Sequence, residues 1–359
     1  RAVLAPRLWW LTLTHGNKVY LGDTIPAIVD HTLKEGGLAS FDYEYRLRET
    51  YPNMDYICEY NESHFDFMSR WLEREGIYYY FDQSGDMEKV IFTDSRISHT
   101  ALAVEHGFQY SPPSGLDSSR RTEVIQSLNC RQRQLPRSVF LKDYNYEKPA
   151  LEIIGSADVD ESGHGEKYIY GEHFPTSEEG NRLAGIRAEE LLSRKSEFFG
   201  ESTIPLLMPG YTFLLDGHYR DDFNREYFIE EVSHEGSQTG YLISGIAEAL
   251  SEREKTVYYR NSFKTVASDV QYRPERRTSK PRVHGTINAR VDAEGSGDYA
   301  ELDGQGRYKV RLPFDRNDSH GAGKASHFIR MAQPYSGSNY GVHFPLHKGA
   351  EVLLTFIDG

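Results

Sequence analysis

Residues 56 to 95, YICEYNESHFDFMSRWLEREGIYYYFDQSGDMEKVIFTDS, constrain the fold more tightly than any other stretch of the chain. Ser63 followed by Asp66 has the spacing of a capping box, which satisfies amides that the first turn of a helix leaves open. Phe65, Met68, Trp71 and Leu72 then recur at helical period and make one apolar stripe. Gly76 stands where a left-handed cap residue ends a helix, and Ile77 beyond it can fold back onto Leu72. From Ile77 to Phe81 the run is aromatic and β-branched. A turn around Ser84 and Gly85 and a second such run, Val90 to Thr93, follow it. The spacing predicts a helix followed by a hairpin.

The same signals recur elsewhere. A helix is predicted from about Thr24, with Pro26 tolerated in its first turn, to a stop at Gly36-Gly37. Another starts at Thr176, whose partner Glu179 completes a capping box, and continues through Leu183, Ala184, Ala188 and Leu191 to about Phe199. Gly180 and Gly185 weaken it by about 1 kcal/mol each relative to alanine, so tertiary packing has to hold it. Phe213 to Leu215, Tyr227 to Val232 and Tyr241 to Ala247 alternate like strands. Residues 262 to 280, SFKTVASDVQYRPERRTSK, are poor in large aliphatics and read as a connector over the surface. Beyond it, short runs separated by turn signals (RVHGTINARV, YAELDGQGRYKVRLPF, SHFIRMAQP, AEVLLTFI) fit a small closed barrel, with an OB-fold as the natural candidate. The fold class expected is therefore mainly β with attached helices (α+β).

Charge divides the chain at the same place. The net charge is -13; residues 281 to 359 hold nine Lys+Arg and nine Asp+Glu, so the whole excess lies upstream. Such acidity disfavours nonspecific contact with nucleic acid or an anionic membrane. No apolar run approaches the roughly 20 residues that a spanning helix needs. Cys58 and Cys130 have no companion cysteines, which speaks against a disulfide framework or a zinc knuckle and for two inert thiols.

Candidate reactive groups fail one by one. His343 and His347 have a spacing that suits two ligands on a helix. Pro345 and Gly349 interrupt any helix there, and in a strand the pair would stand roughly 13 Å apart. His164 and His173 lie in glycine-rich, loop-like sequence. GSNYG places its serine one position early for a hydrolase elbow. GAGKAS, beginning at Gly321, has Asp318 where a phosphate loop needs glycine and Ala325 where it needs Ser or Thr. Glu189-Glu190 and Asp221-Asp222 are adjacent pairs that point apart in a helix. Tyr308, Phe314 and Phe328 could stack on bases, but the barrel has no basic excess, and core positions suit them better. No catalytic, cofactor-binding or metal-ligating residue is assigned.

Several stretches taken together resemble the VgrG family, the spike proteins of bacterial type VI secretion systems. They are CEYNESHFDFMSRWLEREGIYYYF; LKDYNYEKPALEI, with Lys142, Asp143, Tyr144 and Pro149 in place; GNRLAGIRAEELLSRKSEFFGESTIPLLMPGYTFLLDGH; GRYKVRLPFDR; and FIRMAQPYSGSNYGVHFPLHKGAEVLLTFIDG. Phe314 and Phe328 replace the family's common tryptophans. The resemblance implies a phage-hub-like region of small barrels over 1–275, with a linker at about 262–280, and an OB-fold spike-base domain over 281–359. It also implies a longer whole, with opening strands before Arg1 and a β-helical needle after Gly359. The expected protein is a non-enzymatic homotrimer that caps a hexameric tube protein, with a possible tip protein or effector at the needle end. It would assemble in the bacterial cytoplasm without a signal peptide, and leave the cell with the tube. A phage or prophage tail hub is the near alternative. An effector domain beyond residue 359 and a nucleic-acid-binding barrel are the distant ones.

Overall fold

The computed structural model describes residues 2–104, 106–113, 123–238, 258–317, 320–337 and 339–357. The architecture is mainly β with attached helices. It divides into two compact units, neither continuous in sequence. The first is Arg1–Phe41 with Glu49–Leu72 and Arg276–Gly359, and the second is Asp42–Arg48 with Glu73–Glu275. Helix α2, His64–Glu75, passes from one to the other.

In the first unit the strand His15–Tyr20 pairs antiparallel with Ile57–Ser63, with a register shift between Gly16 and Asn17. Helix α1, Ile25–Glu35, begins where its cap predicts: the Thr24 side chain accepts from the Ala27 amide, and a proline sits in the first turn. A second antiparallel sheet has the order Lys309–Arg311, Thr286–Asp292, Glu351–Thr355. Two of the expected C-terminal strands shrink. SHFIRMAQP contributes only a bridge from Ile329 to Tyr308, and YAELDGQGRYKVRLPF forms a strand only at Lys309–Arg311. The core joins both ends of the sequence: Val19 is buried with Ala289, Val310 and Leu312, and Cys58 packs at its margin. The compact units therefore do not follow a cut into 1–275 and 281–359, because strands from the first 72 residues complete the core of the last 84.

In the second unit the largest sheet runs Ile125–Gln132, Ser196–Ser202, Tyr258–Ala267, Glu226–Ser237, Tyr211–Asp216. Its interior is a cluster of rings, among them Phe198, Phe213, Tyr227 and Phe263. Two expectations are corrected in this unit. The helix from Thr176 stops at Leu192, and Ser196–Phe199 belongs to a strand held between two distant partners. Residues Ser262–Ala267 of the expected connector form the inner half of the central strand Tyr258–Ala267, with Phe263, Thr265 and Val266 buried. The expected strand Tyr241–Ala247 lies outside the described residues. The hairpin after α2 is present as Tyr78–Asp82 with Lys89–Thr93, and Tyr43–Arg46 adds a parallel third strand.

Helix α3, Ser177–Leu192, covers the sheet Glu152–Asp158, Ser138–Tyr144, Glu166–Tyr170, burying Val139, Leu141 and Ile153 beneath it. The contact needs glycine on the sheet side. A Cβ at Gly155 would lie 2.1 Å from the carbonyl carbon of Gly180 in the α3 backbone, which cannot move as a side-chain end can. Gly155→Ala is therefore expected to push the helix off its sheet and to cost about 2 kcal/mol in urea denaturation. Gly185→Ala, with open space around the added methyl, should be neutral or slightly stabilising.

Candidate functional site

Two of the sequence motifs meet inside the second unit, at the C-terminal end of α2. The last carbonyls of a helix lack intrahelical partners and carry the negative end of its dipole. Here guanidinium groups from far along the chain take them. Arg187 Nη2 donates to the carbonyls of Glu73, at 2.8 Å, and Arg74, at 2.6 Å. Arg273 Nη1 donates to Gly76, at 3.0 Å, and to Asp94 at the end of the hairpin, at 2.7 Å. Gly76 takes φ +71°, and a Cβ there would meet Ile186 at 2.7 Å.

Carboxylates balance these charges. Glu190 pairs with Arg187 at 2.5 Å and Glu189 with Arg273 at 2.7 Å. Glu75, almost fully buried, takes Arg182 at 2.6 Å and also Arg74, whose Nη2 reaches the Glu172 carbonyl at 3.2 Å. Burial opposes the charge on Arg182, yet its bonds to Glu179 and Glu75 hold its pKa above the ordinary guanidinium value. Buried charges persist only when paired, and breaking one partner is costly. This arrangement locks α2, α3 and the hairpin end together. It leaves its carboxylates engaged by cations.

The first unit has its own polar joints. Ser63 Oγ accepts the Asp66 amide at 3.0 Å, the N-cap half of the expected box, and donates to Asp66 Oδ2 at 2.7 Å, so the Asp66 carboxylate takes the hydroxyl. Arg70 grips Glu62 through two bonds of 2.7 Å and the Cys58 carbonyl at 2.9 Å. Burial raises the Glu62 pKa against that pairing. His64 Nδ1 lies 2.6 Å from Glu59 Oε1, both side chains buried. Asp315, in the GRYKVRLPFDR motif, accepts the amides of Val19 at 3.1 Å and Asn317 at 3.0 Å. Asn317 and His320 in turn donate to the Val19 carbonyl at 3.2 Å and 3.1 Å. The motif thus fastens the N-terminal strand to the C-terminal sheet.

The histidines, carboxylates, thiols and aromatic rings that could carry chemistry scatter into structural roles. His343 bonds Tyr308 Oη at 3.0 Å through Nε2 and the Gln333 amide at 2.9 Å through Nδ1, whereas His347 packs on the Tyr299 ring. The His173 amide donates to Asp143, whose Oδ2 also accepts from Phe174 at 3.3 Å. His164 is a loop residue whose amide donates to the Leu135 carbonyl at 3.0 Å. Asp222 pairs with Arg220 at 2.6 Å, and its neighbour Asp221 opens a short 3-10 turn. Lys142 pairs with Glu152 at 2.5 Å. Tyr308 is buried, and Phe314 packs at the edge of the core against Tyr60. Burial pushes the Cys58 thiol up to about 12 and raises Cys130 as well, so neither thiol is primed as a nucleophile. Among the described residues no group of three His, Cys, Asp or Glu side chains is placed to hold an ion. None of their helices is long and apolar enough to cross a membrane.

Sequence reasoning missed Arg273, and it held Asp315 only as a letter of the GRYKVRLPFDR motif, without its role. Each lies among irregular residues, and no local periodicity marks a side chain whose partners are 84 and 296 positions away.

The profile of the phage tail baseplate hub (GPD) family matches residues 1–240. Across 365 residues the chain is 28% identical to the type VI secretion system spike protein VgrG4b of Pseudomonas aeruginosa, covering 100% of this chain and 44% of that protein. It is also 28% identical over 372 residues to the spike protein VgrG5 of the same species, covering 100% and 45%. The chain thus spans less than half the length of these curated relatives. Among solved structures, the E. coli c3393 protein superposes with a TM-score of 0.65 at 24% identity, over 99% of this chain and 73% of that one. That protein is described as a type VI secretion component with structural similarity to the T4 bacteriophage tail proteins gp27 and gp5. The likeness fixes the fold as that of a phage-tail hub.

Proposed function

Because the chain belongs to the phage tail baseplate hub family, we propose that it forms the hub and spike base of a type VI secretion puncturing device. The observation that carries this reading is similarity running through the entire chain to spike proteins of such systems. In this reading three copies assemble, cap the hexameric tube protein and are driven with it into a target cell after assembly in the cytoplasm. In the same reading 1–275 supply most of the hub and 281–359 an OB-fold at the base of the spike, its core completed by strands from the first 72 residues. The work is mechanical and non-enzymatic. What supports this is that the charges at the end of α2 pair with one another and with backbone carbonyls, and that burial raises the pKa of both thiols. Stability under load would come from burial between subunits.

The test is made in a bacterium with an active secretion system and no other spike gene. Removing the protein should abolish export of the tube protein, and the purified protein should have the mass of a trimer by light scattering. Undiminished export would overturn the secretion reading. The T4 tail likeness of the c3393 structure favours a second reading, a phage or prophage tail hub. In that case the loss would instead stop assembly of phage particles.

A further inference from the structure

The stretch GAGKAS fails as a phosphate loop, yet it folds against a cavity of about 420 Å³ in the first unit. Among the described residues Lys309, Lys324, His320 and His327 line this cavity, with Phe328 as an apolar wall and Asp55 as the acidic member of the lining. Among these described residues two ammonium groups and two imidazoles face the Asp55 carboxylate; Asp315 lies 3.9 Å from His320 Nε2, which already donates to the Val19 carbonyl. Lys309 stands on the strand Lys309–Arg311, and the segment 320–328 that carries the other three is held by hydrogen bonds of its own. The Ala325 amide donates to Asp292 Oδ2 at 3.1 Å, and Ser326 Oγ accepts the Val310 amide at 2.9 Å. Arg311 holds the His320 carbonyl at 3.0 Å. Lys309 Nζ donates to the Gly323 carbonyl at 2.8 Å and lies 4.8 Å from the centre of the Phe328 ring, so this ammonium is held in place with donors to spare.

This chemistry selects among ligands. Asp55, His320 and His327 line the same cavity, but among the described residues no such trio is placed to hold a metal ion. A backbone cradle of the phosphate-loop kind is also ruled out, because the amides of Lys324 and Ala325 are already given to Gly321 and Asp292. What remains is side-chain recognition of an anion. Two ammonium groups match a doubly charged oxyanion, and the cavity has room beyond a bare phosphate for an organic group against Phe328. The geometry points to a binding site for a phosphate monoester, held by Lys309 and Lys324 with the histidines beside it. This site stands on its own cavity and does not depend on the secretion reading.

The whole protein is titrated at low salt with inorganic phosphate and, separately, with a hexose phosphate, by calorimetry and by NMR of the histidine rings. Both ligands should bind saturably, the ester more tightly, and the His320 and His327 signals should move while those of His164 and His173 stay. Lys324→Gln, at an exposed side chain, should weaken binding by roughly tenfold, the effect of one charge-assisted contact. Lys167→Gln, in the second unit, should leave it unchanged. Equal affinity for the two ligands would reduce the site to one for free phosphate. Absence of saturable binding, binding indifferent to Lys324→Gln, or shifts at the wrong histidines would overturn the assignment.

Discussion

Arg273→Ala is expected to lower the stability of the second unit by about 3 kcal/mol, the scale of loss when a buried, paired charge is removed. The side chain is buried and makes three directed contacts: the Gly76 carbonyl, the Asp94 carbonyl and Glu189 Oε2. Alanine leaves two carbonyls without a charged donor and opens a hole beside Gly76, where the Arg273 stem now packs. Glu189 is partly exposed and can turn to water, so its share of the loss is small. Arg273→Lys keeps a charge but cannot reach both carbonyls and Glu189 with one fork, and should recover less than half of the loss. Urea denaturation gives the size, and hydrogen exchange gives the place: protection should fall at the end of α2, in α3 and in Lys89–Thr93. All three tryptophans, Trp9, Trp10 and Trp71, belong to the first unit, so their emission reports on that unit separately. A loss below about 1 kcal/mol, in the range of exposed ion pairs, would show that the joint is ornamental.

The same residue marks the limit of what the sequence reveals. Helix starts are legible at Thr24, Ser63 and Thr176 because a cap is a local device, with donor and acceptor three positions apart. The stop at Gly76 is legible for the same reason. The end of α3 is not: Glu197, Phe198 and Phe199 suit a helix or a strand alike, and pairing with Ile125–Gln132 and Tyr258–Ala267 decides between them. Ser262–Ala267 reads as a connector because only Phe263 and Val266 are large and apolar there, yet it pairs on both edges. Asp315 and Arg273 occupy stretches with no helix or strand period; a motif marks the position of Asp315 but not its partner, and nothing local marks Arg273. The candidate site followed the same pattern. Motif order announced the family, whereas the joints that make the motifs necessary depend on contacts of long sequence separation. Histidines are visible as letters, but burial and neighbours decide what each one does.

His99 shows this most directly. Its imidazole stacks on Phe228 with ring centres 4.0 Å apart and hydrogen-bonds Tyr78 Oη. Burial depresses its pKa from 6.5 to about 4; the Glu226 carboxylate pulls it up, and Arg96 pushes it further down. The folded protein therefore keeps this ring neutral, with Nε2 free to accept from the Tyr78 hydroxyl, over a range where the unfolded chain is already protonated. With more protons bound in the unfolded state, stability falls as the pH falls, starting near 6.5 and ending near 4. The full loss is about 3 kcal/mol, of which roughly half appears by about pH 5. Carboxylates such as Glu44 and Asp82, whose pKa values hydrogen bonds depress, add their own loss at lower pH, so the upper part of the window isolates the histidine. His99→Gln keeps a side-chain oxygen for Tyr78 and cannot titrate. Its stability, measured by urea denaturation between about pH 7 and pH 5, should be flatter than that of the parent by about 1.5 kcal/mol. Parallel pH profiles for the two proteins would mean that the ring is protonated in the fold and that Tyr78 meets it only as an acceptor.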